Sequence, residues 1–327
     1  MPSRRATIRS LAKINLDLRV LQQRTDGFHE LRTVFQTISL ADTIDIEYEP
    51  ARRTEISLDD PLAIPGNLVV RAARALLDAA KIHARVHFRL RKTIPMGGGL
   101  GGGSSNAAAV LLALPVLMGR SVPVEGIAES LGSDVPFFLT GGAAVGIGRG
   151  TEVYDLPDLK PEPILVVSSG LHVATGAAYQ ALGRGLTANN SSSRINGFRA
   201  FVEVLAREHS AGAASPFSAN DFEAVVFRQH PLLQTIERKL SQLGARGARP
   251  GVRMTGSGSA IFAVFRNREQ RDRAEAVLKR DRVFGRYLVM PAALVNRRSY
   301  QRLWRRQLGD HIRADQSLWP PQSRYAK

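Results

Sequence analysis

The sequence predicts an α+β fold in two domains, and three observations carry that reading. The N-terminal third is β-rich and broken by turn signals, whereas a run of glycines further on leads straight into an alanine-rich helical stretch. Beyond residue 161, helices and strands come in runs and not in strict strand–helix–strand repetition, which argues against a doubly wound sheet. Placing the junction near Pro161 divides the 327 residues into 1–160, 161–294 and a basic extension, 295–327.

Taken in order, β-branched and apolar residues predict strands over 6–10, 14–21, 32–40 and 43–48, with Asp26-Gly27 as a turn. A helix over 67–82 and a strand over 84–91 follow. The glycine run then opens a second helix near Ser104 or Ser105, which Pro115 kinks or ends within a turn. In LGSDVPFFL, residues 131–139, a helix begins at Ser133 or Asp134 with Pro136 in its first turn. Strands return over 143–147 and 164–168, and one helix, 196–208, interrupts a Gly-, Ala- and Ser-rich stretch. The C-terminal part reads as helix 223–243, strands 251–254 and 260–265, helix 268–280 and strand 285–290. In the extension, Tyr300, Trp304 and Leu308 share one helical face, which predicts a helix docked over the C-terminal domain.

The glycine run, PMGGGLGGGSS over 95–105, has the layout of a phosphate-binding loop. Without Cβ atoms, successive backbone N–H groups can close on a polyphosphate. The helix behind it adds first-turn donors and the positive end of its dipole. Ser104 or Ser105 could cap that helix or ligate magnesium. A Walker loop needs Lys after the last glycine, but Gly103 is followed by Ser104. Gly97, Gly99 and Gly102 satisfy G-x-G-x-x-G only because the tract is so glycine-dense. Thr93, Ile94 and Pro95 separate the run from the preceding strand, where a dinucleotide-binding turn would follow directly.

Bulk properties narrow the function. The chain has no cysteine, which excludes disulfides, thiolate metal sites and a cysteine nucleophile. A net charge of +16 suits anionic phosphorylated metabolites; aromatics are only 6% and do not alternate with basic residues, which disfavours nucleic acid as a partner. The longest apolar run, 107–118, is too short to span a bilayer, and no signal peptide opens the chain. A cytoplasmic monomer or homodimer acting on a small molecule, with no membrane partner, is expected.

Three segments together resemble the GHMP kinase superfamily of small-molecule kinases: SLAKINLDLRV near the N-terminus, PMGGGLGGGSSNAAA, and RMTGSGSAIFAVF over 253–265. RTDGFHEL, GNLVVRAAR and LGSDVPFFLTGGAAVGIGRG bring the match closest to the branch whose acceptor is a cytidine-diphosphate-linked methylerythritol. The resemblance implies a two-domain fold with its active site in the inter-domain cleft and ATP with Mg2+ as cofactors. It also implies phosphorylation of the acceptor's 2-hydroxyl in the non-mevalonate isoprenoid pathway.

The same resemblance assigns residues. Asp134 takes the proton of the acceptor hydroxyl and Lys13 orients that carboxylate and stabilises developing charge. Read alone, Asp134 would be a helix cap and Lys13 a solvated strand residue. ATP is held by Pro95, Met96, Gly97, Gly98, Gly99, Leu100, Gly101, Gly102, Gly103, Ser104 and Ser105, with Asn67 and Lys92 lining the adenine pocket. Phe28 and Tyr179 sandwich the cytosine ring, His29 bonds its edge, and Asn15 contacts the methylerythritol end. Phe28 stands where the family commonly has tyrosine, so a stacking face is kept and a hydroxyl lost. Thr255 and Gly256 belong to a second glycine loop that supports the substrate diphosphate, braces the first loop, or simply turns between two strands. The extension after Leu294 departs from the family.

Overall fold

The computed structural model describes residues 3–183, 191–214, 217–244, 251–313 and 318–326. Its first half is built on two long strands, β1 (Arg4–Gln23) and β2 (His29–Pro50), paired antiparallel along their length. The sequence suggests four shorter strands here; the expected break after Ser10 is a register shift, between Leu11 and Lys13 opposite Ala41 and Thr37, and a second shift follows between Asn15 and Asp17. Such irregularities re-aim side chains without ending the strand.

β3 (Glu55–Asp59), α1 (Leu68–Ala80), β4 (Ala84–Arg91), α2 (Gly102–Met118), α3 (Glu125–Leu131), α4 (Phe137–Thr140), β5 (Ala143–Gly148) and β6 (Glu152–Asp155) complete this half. The far edge of β2 is shared: residues 31–36 pair with β5 and residues 43–50 with β4. Pro115 falls in the last turn of α2, which stops at Gly119 in the left-handed conformation. Neither Ser104 nor Ser105 caps α2, which starts earlier with Gly101, at φ 69°, as its N-cap. The helix expected from Ser133 or Asp134 begins only at Phe137, so Asp134 lies in the preceding turn.

The second half comprises β7 (Pro163–Ser168), α5 (Thr175–Leu182), α6 (Ser191–Glu208), α7 (Ala211–Ala214), α8 (Glu223–Gln229), α9 (Pro231–Leu243), β8 (Gly251–Met254), β9 (Ile261–Val264), α10 (Arg268–Arg280) and β10 (Leu288–Ala293). Its sheet, in the order β10-β7-β9-β8, is antiparallel throughout. One helix was expected over 223–243; Pro231, which lacks an N–H, starts a new helix there instead.

Alternation along β7 and β9 separates two cores. Ile164, Val166, Phe262 and Val264 pack with α6 and α7, while Leu165, Val167, Ile261 and Ala263 pack with α8, α9 and α10. A third core lies between the first sheet and α1 to α4. β1 feeds all three: Ile8 and Leu11 enter the first-sheet core, Ala12, Ile14 and Leu16 the second, Leu18 and Val20 the third. Consequently β1 is buried without interruption from Ser10 to Leu21.

The extension forms α11 (Arg297–Gln307), and its docking place corrects the expectation. Tyr300, Trp304 and Leu308 pack into the first-sheet core and not over the C-terminal sheet. Periodicity gives the face of a helix but not its destination. The chain then returns to the start of β1, where His311 Nε2 lies 2.7 Å from the Arg5 carbonyl. No helix among the described residues is long and apolar enough to cross a membrane.

Candidate active site

Between the register shifts of β1, Lys13 and Asn15 share one face and are both buried. Lys13 Nζ donates to Asn15 Oδ1 at 2.7 Å and stands 3.3 Å from Asp134 Oδ2, whose side chain is partly open to solvent. Asn15 is itself fixed: Nδ2 donates to Thr33 Oγ1 at 2.7 Å and Oδ1 accepts from Gly256 N–H at 3.0 Å. An ammonium with its stem enclosed and its head between an amide oxygen and a carboxylate has little freedom to move. Such an ammonium can hold the carboxylate and meet negative charge placed nearby.

The glycine run wraps over this pair. Lys13 N–H donates to Leu100 O at 3.0 Å, and a Cβ on Gly101 would meet both Lys13 Cγ, at 3.0 Å, and the ring of Phe138, at 2.9 Å. The second glycine loop braces the first: Ser259 and Ala260 N–H donate to the carbonyls of Gly97 and Gly98, each at 3.2 Å. Ser105 turns its hydroxyl inward onto Leu11 O at 2.6 Å, whereas Ser104 borders open space.

Two cavities meet at this loop. One, of about 410 Å³, is lined by Asn67, Lys92 and the run from Pro95 to Ser104. Asn67 caps α1, accepting from Val69 N–H at 3.0 Å, and donates to Asp60. Burial would raise the Asp60 carboxyl, but the N–H groups of Ile64 and Leu62, Asn67 and the charge of Lys92 outweigh it and hold the pKa below its ordinary value. Lys92 is paired with the fully buried Asp42, which also accepts from the N–H groups of Thr93 and Ile94 and from Asn106. Sequence reasoning missed Asp42, since a lone aspartate between two strand segments carries no local signal.

The other cavity, of about 930 Å³, holds Lys13, Asn15, Asp134, Phe28, His29, Tyr179, Gly256 and Ser257. Gly99 and Ser104 line both. A polyphosphate on the loop would therefore end where Lys13 and Asp134 face the larger cavity.

The architecture recurs in known proteins. Residues 67–142 match the GHMP kinases N terminal domain and residues 202–282 the GHMP kinases C terminal domain. The 4-diphosphocytidyl-2-C-methyl-D-erythritol kinase of Solibacter usitatus (strain Ellin6076) is 51% identical, over 99% of this chain and 98% of that protein. This chain belongs to that family of GHMP kinases. The same-named enzyme of Syntrophus aciditrophicus (strain SB) is 37% identical over 83% of this chain and 94% of its own. A crystal structure of 4-(cytidine 5'-diphospho)-2C-methyl-D-erythritol kinase superposes with a TM-score of 0.71 at 36% identity, covering 89% of this chain and all of that one. Homoserine kinase from Cytophaga hutchinsonii ATCC 33406 shares the fold at 17% identity, with a TM-score of 0.67 and coverage of 89% and 95%. With 99% of the chain aligned, the extension after Leu294 is common to this GHMP kinase and its Solibacter relative.

At the outer end of the larger cavity this GHMP kinase gathers aromatic rings, in an arrangement different from the one expected. His29 stacks on Tyr179, with centroids 4.7 Å apart and planes 21° from parallel, and Tyr179 meets Phe222 edge-on. Phe28 is half-exposed and lies under the Arg149 guanidinium, 4.5 Å from its ring centre. Thus the face of Tyr179 is covered by His29, not left open toward Phe28. Burial, helped by the charge of Asp134, pushes the Tyr179 hydroxyl up to about 12, so it stays a neutral donor at physiological pH. For Arg149 the sequence offers one signal, the cation of GIGRG immediately after a strand.

Proposed function

We propose that this chain transfers the γ-phosphoryl group of ATP to the 2-hydroxyl of 4-diphosphocytidyl-2-C-methyl-D-erythritol, releasing ADP and the 2-phosphate. The observation that carries the reading is the meeting of two cavities at Gly99 and Ser104, with the Lys13–Asp134 pair on the acceptor side. ATP would place its polyphosphate on the glycine loop and the N-terminus of α2, which has no side-chain cap competing for those donors.

The acceptor oxygen attacks the γ-phosphorus, the bond to the β-bridging oxygen breaks, and the hydroxyl proton passes to Asp134. Lys13 orients that carboxylate and neutralises charge on the reacting oxygens. Asn15, whose amide is engaged by Lys13, Gly256 and Thr33, keeps the ammonium in place. The cytidine end would occupy the aromatic outer part of the cavity, where entry of the base between Phe28 and Tyr179 requires His29 to leave the Tyr179 face and take the base's polar edge.

Magnesium, which ligates few protein oxygens and relies on nucleotide phosphates and water, fits the donors present. The Ser104 hydroxyl borders both cavities and would hold it, and Ser105 is tied to Leu11. When bound, the ion would neutralise phosphate charge. The reaction would run in the cytosol.

ADP release with ATP, magnesium and the cytidine-linked acceptor, run beside homoserine and mevalonate, tests this function. Turnover with the cytidine compound alone is expected; turnover only with a control acceptor would discard the nucleobase site. Asp134→Asn is expected to lower kcat on the order of 10²-fold or more with an unchanged thermal midpoint. Wild-type turnover in that variant would remove Asp134 from the mechanism.

A further inference from the structure

We propose that two residues of the C-terminal extension, Tyr300 and Trp319, act as positioning residues that fix α4, and thereby hold Asp134 against Lys13. The proposal rests on the reading of Asp134 as the acceptor of the hydroxyl proton.

A four-residue helix satisfies almost none of its own backbone groups. The carbonyls at the end of α4 are instead served from the extension. The Tyr300 hydroxyl donates to Phe138 O at 2.6 Å and the Trp319 indole N–H donates to Leu139 O at 2.8 Å. The two rings also lie beside each other, with centroids 6.3 Å apart. α11 sits directly on the glycine pair that follows α4: a Cβ on Gly141 would lie 2.5 Å from the Tyr300 ring, and one on Gly142 would lie 2.7 Å from Arg297 Cβ. Both glycines have positive φ, so this close approach is built into the backbone.

What α4 holds is the site. Asp134 is three residues before its start, and Phe138 packs where Gly101 and Lys13 meet. The line of contact therefore runs from Tyr300 through Phe138 to the glycine loop and the Lys13–Asp134 pair. A carboxylate carried on a turn has few restraints of its own, and misplacement of about 1 Å in a reacting group can cost orders of magnitude in rate.

The test is steady-state kinetics on the full chain with Tyr300 and Trp319 both changed to Phe, which removes two donors, keeps the Tyr300 ring and replaces the Trp319 indole with a smaller aromatic ring. The expected result is a fall in kcat of about tenfold or more, with KM for ATP and for the acceptor within about twofold. Ser323→Ala, which loses the bond it donates to the Val116 carbonyl on α2 and the one it accepts from the Tyr325 N–H, serves as the structural control: kcat should hold even where the thermal midpoint falls. A double variant with wild-type kcat overturns the proposal, as does an equal loss of kcat in Ser323→Ala. Should the double variant fail to fold, Trp319→Phe alone must still lower kcat at constant KM. Asp134→Asn run in parallel separates the two ideas. An inactive Asp134→Asn beside a fully active double variant removes only the clamp; an active Asp134→Asn removes the role of Asp134 and the clamp with it.

Discussion

Thr255 donates its hydroxyl to the carbonyl of Gly99 at 3.2 Å, tying a side chain of the second glycine loop to the backbone of the first. A Cβ on Gly99 would fall on the Thr255 carbonyl, and Gly99 has φ 73°. Gly99→Ala is therefore expected to push the loops apart and to strain the first one. Because Gly99 lines both cavities, KM for ATP should rise and kcat should fall by about tenfold or more together. Wild-type values of both would show that the contact does not matter.

His29 and Tyr179 form the stacked pair that the base must enter. His29→Ala should raise KM for the cytidine-linked acceptor at least about tenfold, corresponding to about 1.4 kcal/mol, and leave KM for ATP unchanged. An unaltered acceptor KM would move the nucleobase elsewhere in the cavity.

Asp42 gathers Lys92, Asn106 and two backbone N–H groups at the root of the glycine run. Asp42→Ala leaves the Lys92 ammonium buried beside Gly102 without its carboxylate. Loss of one partner from a buried ion pair costs about 3–5 kcal/mol, so denaturant unfolding should show a destabilisation of about 3 kcal/mol with a raised KM for ATP. A variant as stable as the parent would mean that Lys92 finds another partner.

Glu223 supplies the pH dependence. Burial moves its carboxyl from the ordinary 4.5 up to about 7, only partly opposed by Arg253 and by the Met254 N–H that it accepts. The folded chain therefore holds a proton there that the unfolded chain has released. Stability from this group is present below about 4.5 and is lost as pH rises to about 7. In Glu223→Gln that part of the pH dependence should vanish, so the unfolding free energies of the two proteins diverge between these values. Parallel curves would contradict the raised carboxyl.

How much of this was legible beforehand varies with how local the cause is. The glycine run, its helix and the helix over 268–280 could be read because their signals sit in consecutive residues. β3 and β6 were missed because they are short, partly exposed strands without a long apolar pattern. Lys13 and Asp134 emerged only through motif context, since neither a strand lysine nor an aspartate before a helix is distinctive alone. The closing of His29 over Tyr179, Arg149 over Phe28 and α11 onto the first sheet each joins segments more than a hundred residues apart. No window of sequence contains both partners.

The bond between His311 and the Arg5 carbonyl sets an order of events for the nascent chain. Residue 5 leaves the ribosome about 300 residues ahead of its partner. The opening of β1 therefore lacks this partner while the intervening residues are made. Because such distant closure is slow, refolding should be limited by the return of the segment around His311 to the start of β1.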